Sequence, residues 1–206
     1  MLEKFLKQTN FKDYADFMAN FKVEVPEDFN FGYDVVDAYA EKEPEKEAIL
    51  WTNDRGDVKH INYSEFKRLS DNVASYFLTL GIERGDSVML ILKRRIEWWI
   101  TMVALHKIGV VAIPATHLLT DKDIIYRCHQ ANIKAIVAVG DAVVLRNVIR
   151  ARVYCPTLKH CISIGPAVPQ RWDNFWQGVM MAPKFKSQKG QNKVTDNLLL
   201  YFTSGT

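Results

Sequence analysis

Leu80-Gly81-Ile82-Glu83-Arg84-Gly85-Asp86-Ser87-Val88-Met89-Leu90-Ile91-Leu92 joins a stretch of helical period to an apolar run without polar alternation. A strand that keeps one face in water alternates, whereas one covered on both faces reads as an unbroken apolar run. Residues 87–92 therefore predict an interior strand with helices on both sides. Upstream, Phe66, Leu69, Val73, Tyr76, Phe77 and Leu80 fall on one face of a helix over 63–80. Asn62 with Glu65 three positions later resembles a capping box, and Gly81 supplies the left-handed residue that ends the helix. Downstream, residues 95–108 are apolar on more than one face (Ile96, Trp98, Trp99, Met102, Val103, Leu105), which predicts a covered helix ending at Gly109.

The same alternation continues along the chain. Apolar runs at 110–114, 135–139, 160–164 and 198–202 predict further buried strands. Thr120 is placed to cap a helix through the N–H of Lys122 or Asp123, with Asp121 and Asp123 favoured by the helix dipole and Asp123 four residues before Arg127. The fold class that follows is α/β, a largely parallel sheet covered by helices. The first thirty residues are rich in aromatics (Phe5, Phe11, Tyr14, Phe17, Phe21, Phe29) and end in the turn-like Val25-Pro26-Glu27-Asp28. Residues 1–30 are expected to form an arm packing on a body of residues 31–206, with 182–193 as the one loop-like linker.

Composition narrows the partners. The 206 residues are 48% hydrophobic, enough for a sizeable core. Lys+Arg 27 against Asp+Glu 24 gives a charge of +3 with the signs interspersed, which argues against nucleic acid and against a membrane surface. Glu3, Lys4 and Lys7 interrupt the apolar groups that a signal peptide would need, and Glu3, Asp13 and Asp16 do not suit a transit peptide. Cys128, Cys155 and Cys161 are odd in number and irregularly spaced, unlike a disulfide framework. A cytoplasmic protein is expected.

The chain closes with Leu198-Leu199-Leu200-Tyr201-Phe202 running into Thr203-Ser204-Gly205-Thr206. In open α/β sheets ligands bind beyond the carboxyl ends of strands, and small hydroxyls with glycine-freed N–H groups can hold phosphate. Local chemistry leaves this open, since such a strand-to-turn switch is also ordinary punctuation.

Tyr201-Phe202-Thr203-Ser204-Gly205-Thr206 resembles the opening of the phosphate-binding loop of the adenylate-forming superfamily, which includes acyl-CoA synthetases, luciferases and peptide synthetase adenylation domains. The family's loop continues through a further Thr-Gly and then a Pro-Lys, neither of which follows Thr206 in this sequence. Residues 80–88 are similar to the family's Gly-x-x-x-Gly-Asp-x-Val turn, and Glu97-Trp98-Trp99 through Lys107-Ile108-Gly109-Val110-Val111-Ala112-Ile113-Pro114 to the helix and strand after it. Leu119-Thr120-Asp121-Lys122-Asp123-Ile124-Ile125-Tyr126-Arg127, with Ala131, Lys134-Ala135-Ile136-Val137 and Val25-Pro26-Glu27-Asp28-Phe29-Asn30-Phe31, resembles the medium-chain, butyrate-type branch of AMP-forming acyl-CoA synthetases.

The resemblance implies the N-terminal part of the large domain of a two-step ligase. A short- or medium-chain carboxylic acid would attack the α-phosphate of ATP, and coenzyme A would capture the acyl-adenylate. Thr203, Ser204, Gly205 and Thr206 would hold the ATP phosphates, with Mg²⁺ sharing their charge. No residue of this chain is implied to be catalytic, because the family's catalytic lysine, adenine contacts and acyl pocket lie downstream. The fragment alone is expected to be inactive and to self-associate through the edge at 198–202. Two rivals stay open: an adenylation domain loading a carrier protein, and a non-enzymatic remnant used for binding or assembly.

Other groups read more plainly. Cys128, His129, Cys155, His160 and Cys161 lack zinc-ligand spacing, so no metal site is expected. Lys93-Arg94-Arg95 reads as a solvated turn after a strand, with contact to a phosphate or to the coenzyme A nucleotide as the alternative. Trp98 and Trp99 read as packing rather than an acyl tunnel, and His106 and His117 take no role. No Walker loop, dinucleotide fingerprint or nucleophile elbow occurs.

Overall fold

A computed structural model describes residues 2–203. The N-terminal segment carries a 3-10 turn, Leu2–Lys4, and a short α-helix, α1 (Tyr14–Asn20), whose first turn is capped by Asp13 accepting from the N–H of Asp16 at 2.8 Å. This helix buries none of its residues fully. Its aromatics instead meet one another: Phe17 stacks on Phe21 at 4.7 Å and meets Phe11 edge-on at 5.2 Å. Asn30 then caps a π-helical turn, Phe31–Asp37, that runs into α2 (Ala38–Lys42). Strands β1 (Glu47–Thr52) and β2 (Val58–Asn62) pair antiparallel around a turn held by Asn53 Oδ1, which accepts from the N–H groups of Arg55 and Asp57.

After α3 (Tyr63–Thr79) come the strands and helices of the frame. In chain order these are β3 (Ser87–Ile91), α4 (Ile96–Lys107), β4 (Val111–Pro114), α5 (Asp121–Ala131), β5 (Ile133–Val139), α6 (Ala142–Arg152), β6 (His160–Ile164), β7 (Asp173–Asn174) and α7 (Phe175–Met181). The sheet order is β4-β3-β5-β6-β7, and every pairing is parallel. Val88, Leu90, Val137 and Ile162 point to a core shared with α3, α4 and α7. Met89, Ile91, Ile136 and Cys161 point to a second core with α5 and α6. Alternate residues of one apolar run thus feed two cores, which is why 87–92 shows no alternation in polarity.

The caps follow the sequence closely. Asn62 accepts from the Glu65 N–H, and Thr120 and Asp123 form a reciprocal capping box. Asp123 directs its carboxylate back to Thr120 instead of forward to Arg127, whose guanidinium lies 5.1 Å from the Phe202 ring.

One expectation needs correction. Residues 198–202 do not form a buried strand. Leu199 makes a single parallel bridge to Ala112, at the outer side of β4, and Leu198, Leu199 and Tyr201 are 42%, 36% and 64% exposed. An edge segment has a neighbour on one side only, so only Leu200 and Phe202 turn inward onto the second core. Residues 182–193, expected to be a loop-like linker, have no regular structure and are tied to the body by side-chain and backbone bonds. Ser75 donates to the Pro183 carbonyl, the Gln188 N–H donates to Tyr33 Oη, and Asn192 is buried.

The helix at 95–108 hides a charge. Lys107 is fully buried, and its Nζ donates to Asp37 at 2.7 Å and to Asp71 at 2.6 Å. Lys67 also reaches Asp71, at 2.6 Å. Desolvation raises the Asp37 carboxyl above its usual range, opposed by the Lys107 ammonium.

Candidate active site at the carboxyl edge

In a sheet ordered β4-β3-β5-β6-β7, the chain leaves β3 toward β4 and then returns to the other side of β3 to form β5. That reversal opens a crevice between the loops after β3 and β5, where doubly wound sheets receive ligands. The loop after β3 is Lys93-Arg94-Arg95, with Lys93 in the left-handed region at φ 52°. The loop after β5 is Gly140-Asp141, in which the Gly140 N–H donates to the Ile164 carbonyl at 2.8 Å.

An ion pair spans this crevice: Lys93 Nζ lies 2.8 Å from Asp141 Oδ2, and both side chains are about a third exposed. Asp141 has a second task as the cap of α6, accepting from the N–H groups of Val143 and Val144. The Lys93 ammonium, helped by those two N–H groups, holds its carboxyl below the usual carboxylate range. Beside it, Thr52, Asn53 and Asp54 of the β1–β2 turn face Lys93, Arg94 and His117 across a hollow of about 530 Å³. Such a hollow can receive an anionic group at Arg94 without breaking an ion pair, since Arg94 has no carboxylate partner among the described residues.

Thr203 follows the segment that runs parallel to β4 and is exposed. A strand parallel to β4 leaves the sheet at the same edge as β4 does, so Thr203 comes off on the carboxyl side. Ser204, Gly205 and Thr206 lie outside the described residues. Sequence reading treated Lys93-Arg94-Arg95 as a solvated turn and passed over Asp141. Its capping position before Ala142-Val143-Val144 was the available signal, but its partner stands 48 residues away and local spacing cannot reveal it.

A family model described as AMP-binding enzyme matches residues 36–206. The chain belongs to the AMP-binding enzymes. Within that family it is similar to the human mitochondrial acyl-coenzyme A synthetase ACSM1, with 36% identity over 190 residues, covering 89% of this chain and 32% of that protein. It is 34% identical to the rat mitochondrial acyl-coenzyme A synthetase ACSM4 over 190 residues, covering 88% and 32%. The human mitochondrial ACSM3 is 31% identical over 203 residues, covering 96% and 34%. The chain spans about a third of the length of these curated relatives. Its fold is shared with the anthranilate CoA ligase AuaEII, solved in complex with anthranoyl-AMP, at a TM-score of 0.78 and 19% identity, covering 88% of this chain and 33% of that one.

The three cysteines and His106 of this chain are buried. Cys128, Cys155 and Cys161 are buried free thiols, and burial pushes Cys161 up to about 12 and the other two upward. Among the described residues no three His, Cys, Asp or Glu side chains converge as metal ligands. His106 is buried with both ring nitrogens unpartnered, and burial lowers it to about 4. Its carbonyl, near the end of α4, accepts from the Gly109 N–H at 3.1 Å and from the side-chain amides of Asn30 at 2.7 Å and Asn192 at 3.1 Å.

Proposed function

We propose that this chain is the N-terminal third of an AMP-forming acid–thiol ligase, which activates a short- or medium-chain carboxylic acid with ATP and passes the acyl group to coenzyme A. The observation that carries the reading is family membership over 36–206 on a doubly wound sheet whose last segment brings Thr203 off at the carboxyl edge. The acyl-coenzyme A synthetases it resembles favour coenzyme A over a carrier protein as acceptor. Thr203, Ser204, Gly205 and Thr206 would donate hydroxyl and N–H groups to the ATP phosphates, where negative charge accumulates as pyrophosphate leaves. The attacking carboxylate is already ionised near neutral pH and needs no base from this chain. Mg²⁺ would neutralise phosphate charge when bound. Among the described residues no cluster of ligands for it is present, and Thr203, Ser204 and Thr206 would contribute hydroxyls beside it.

Supplying the intact protein with ATP, coenzyme A and carboxylic acids of graded length tests the reading. AMP and the acyl thioester are expected, with butyrate to medium-chain acids preferred, and no AMP with any acid would overturn it. The 206-residue chain by itself should release no pyrophosphate from ATP and butyrate. Self-association is expected through the exposed edge at Leu198, Leu199 and Tyr201, and a clean monomer by light scattering at high concentration would count against it. A cytoplasmic location is part of the proposal. The relatives named above are mitochondrial, so fractionation of cells expressing the intact protein separates the two.

A further inference from the structure

Helices α5 and α6 pack against each other over the second core. Asn147 of α6 donates to the Leu119 carbonyl ahead of α5 at 2.9 Å, and at the other end His129 Nε2 of α5 lies 2.7 Å from the Tyr154 carbonyl, just past α6. A cysteine adjoins each member of that second contact, Cys128 before His129 and Cys155 after Tyr154. Their thiols hydrogen-bond to each other. Two sulfurs in contact, on segments bonded together one residue away, need only a short approach to join. Cys161 reaches the same core from β6 and hydrogen-bonds to neither.

Cys128 is fully buried and Cys155 is 2% exposed, so neither thiol stands open to reagents in solution. The cover over Cys155 is thin. Val153 and Tyr154 are 83% and 64% exposed, and the turn they begin is held by main-chain bonds from Tyr154 to Ala151 and from Cys155 to Arg152. A surface turn of this kind opens locally at lower cost than the strands of the sheet. Burial raises the Cys155 thiol above its usual range, opposed by the Cys128 thiol that donates to it, so Cys155 is the member better able to lose its proton.

We propose that Cys128 and Cys155 are a modification site, forming a reversible disulfide by exchange with a small-molecule disulfide. The Cys155 thiolate attacks one sulfur of the reagent, breaking its S–S bond and releasing one thiolate. The Cys128 thiolate then attacks Cys155 Sγ in the mixed disulfide and releases the second. The two protons lost by the protein go to the two released thiolates, so the protein is oxidised by two electrons and the reagent leaves as two thiols. The new bond fastens the end of α5 to the turn after α6. Beside Cys128, Tyr126 and Arg127 contact the Phe202 ring at 6.1 and 5.1 Å, one residue before Thr203. No step needs ATP, so the proposal stands whether or not the intact protein is a ligase.

The test incubates the native 206-residue chain with hydroxyethyl disulfide, alkylates the remaining thiols in urea and maps the peptides by mass spectrometry. One intrachain link between Cys128 and Cys155 and one alkylated Cys161 are expected, and dithiothreitol should restore three alkylated cysteines. Cys161→Ala should form the link at the parent's rate. Cys128→Ala should stop with the reagent attached at Cys155, whereas Cys155→Ala should leave Cys128 unmodified, each variant keeping the parent's circular dichroism spectrum. If either variant fails to fold, the parent's peptide map decides by itself. The proposal is overturned by a link that includes Cys161, by a link between two chains, or by three free thiols after native incubation. A link between Cys128 and Cys155 that forms only in urea would likewise overturn it, as would reagent attached at Cys128 in folded Cys155→Ala.

Discussion

Two lysine–aspartate contacts at opposite ends of the frame do opposite things with the same chemistry. Lys107, at the end of α4, is wholly buried and held by both Asp37 and Asp71. Lys93, just beyond β3, meets Asp141 in a pair about a third exposed on each side. Charges taken out of water must keep every partner, because an abandoned carboxylate in the interior has nothing to replace the lost ammonium. Charges at the surface are re-solvated when separated. The contrast separates a fixed joint of the fold from a contact that a ligand can open, and it places the openable one in the crevice where this fold receives ligands.

Removing the ammonium is the strongest way to break that contrast. Lys107→Ala strands Asp37 and Asp71 and leaves the space of the lysine stem empty, so a loss of about 3–5 kcal/mol is expected in urea unfolding at neutral pH. A loss under about 1 kcal/mol, the scale of a surface pair, would put Lys107 in the same class as Lys93.

His106 shows the other way to bury a titratable group, which is to keep it neutral. Its folded-state value of about 4 lies below the 6.5 of an unperturbed imidazole. The unfolded chain therefore takes up the proton first as the pH falls. The stabilisation is whole above about pH 6.5 and drains away as the pH approaches 4, by about 3 kcal/mol in total. His106→Leu should flatten the fall in stability between pH 7 and pH 5 relative to the parent. Parallel curves for the two proteins would show that His106 titrates normally.

A milder perturbation reaches the Lys107 joint from outside. A Cβ placed on Gly32 would stand 2.6 Å from Lys107 Cγ, so Gly32→Ala must push the lysine stem within a packed interior. The expected cost is about 1–3 kcal/mol by thermal or urea unfolding. Coupling in a double-mutant cycle with Lys107→Met would sharpen the assignment, since strict additivity would mean that Gly32 matters for some other reason.

The frame was legible where burial is two-sided or a cap is explicit. Residues 87–92 and 135–139 announced interior strands because both cores draw on them, and Asn62 and Thr120 announced helix starts because their side chains bond within four residues. The hairpin β1–β2 was not legible, since Ile61 is the only buried residue of its two strands and their outward positions mix Leu50 and Val58 with Glu47 and Lys59. Helix α6 was also missed, although Asp141 marks its start. Lys107 looked like an ordinary basic residue near a helix C-terminus, where cations are favoured anyway. Its burial follows from Asp37 and Asp71, which lie 70 and 36 residues away. For the site, Thr203 lay in a recognisable string, whereas Lys93 and Asp141 are joined only by the order of the strands.

The smallest expected effect tests the openable side. Lys93→Gln removes the ammonium and leaves Asp141 to cap α6, so the α6 start keeps its bonds to Val143 and Val144. With both side chains about a third exposed, the pair should contribute about 0.2–1 kcal/mol at low salt and less as ionic strength rises. Asp141→Ala should cost more, because a helix cap is lost together with the pair, adding about 0.5–2 kcal/mol. Urea midpoints for both variants at low and high salt separate the two contributions, since only the ion-pair part should fade with salt. If Lys93→Gln costs as much as Asp141→Ala and salt leaves both unchanged, the crevice is braced as rigidly as the Lys107 joint, and the division between a fixed and an openable contact fails.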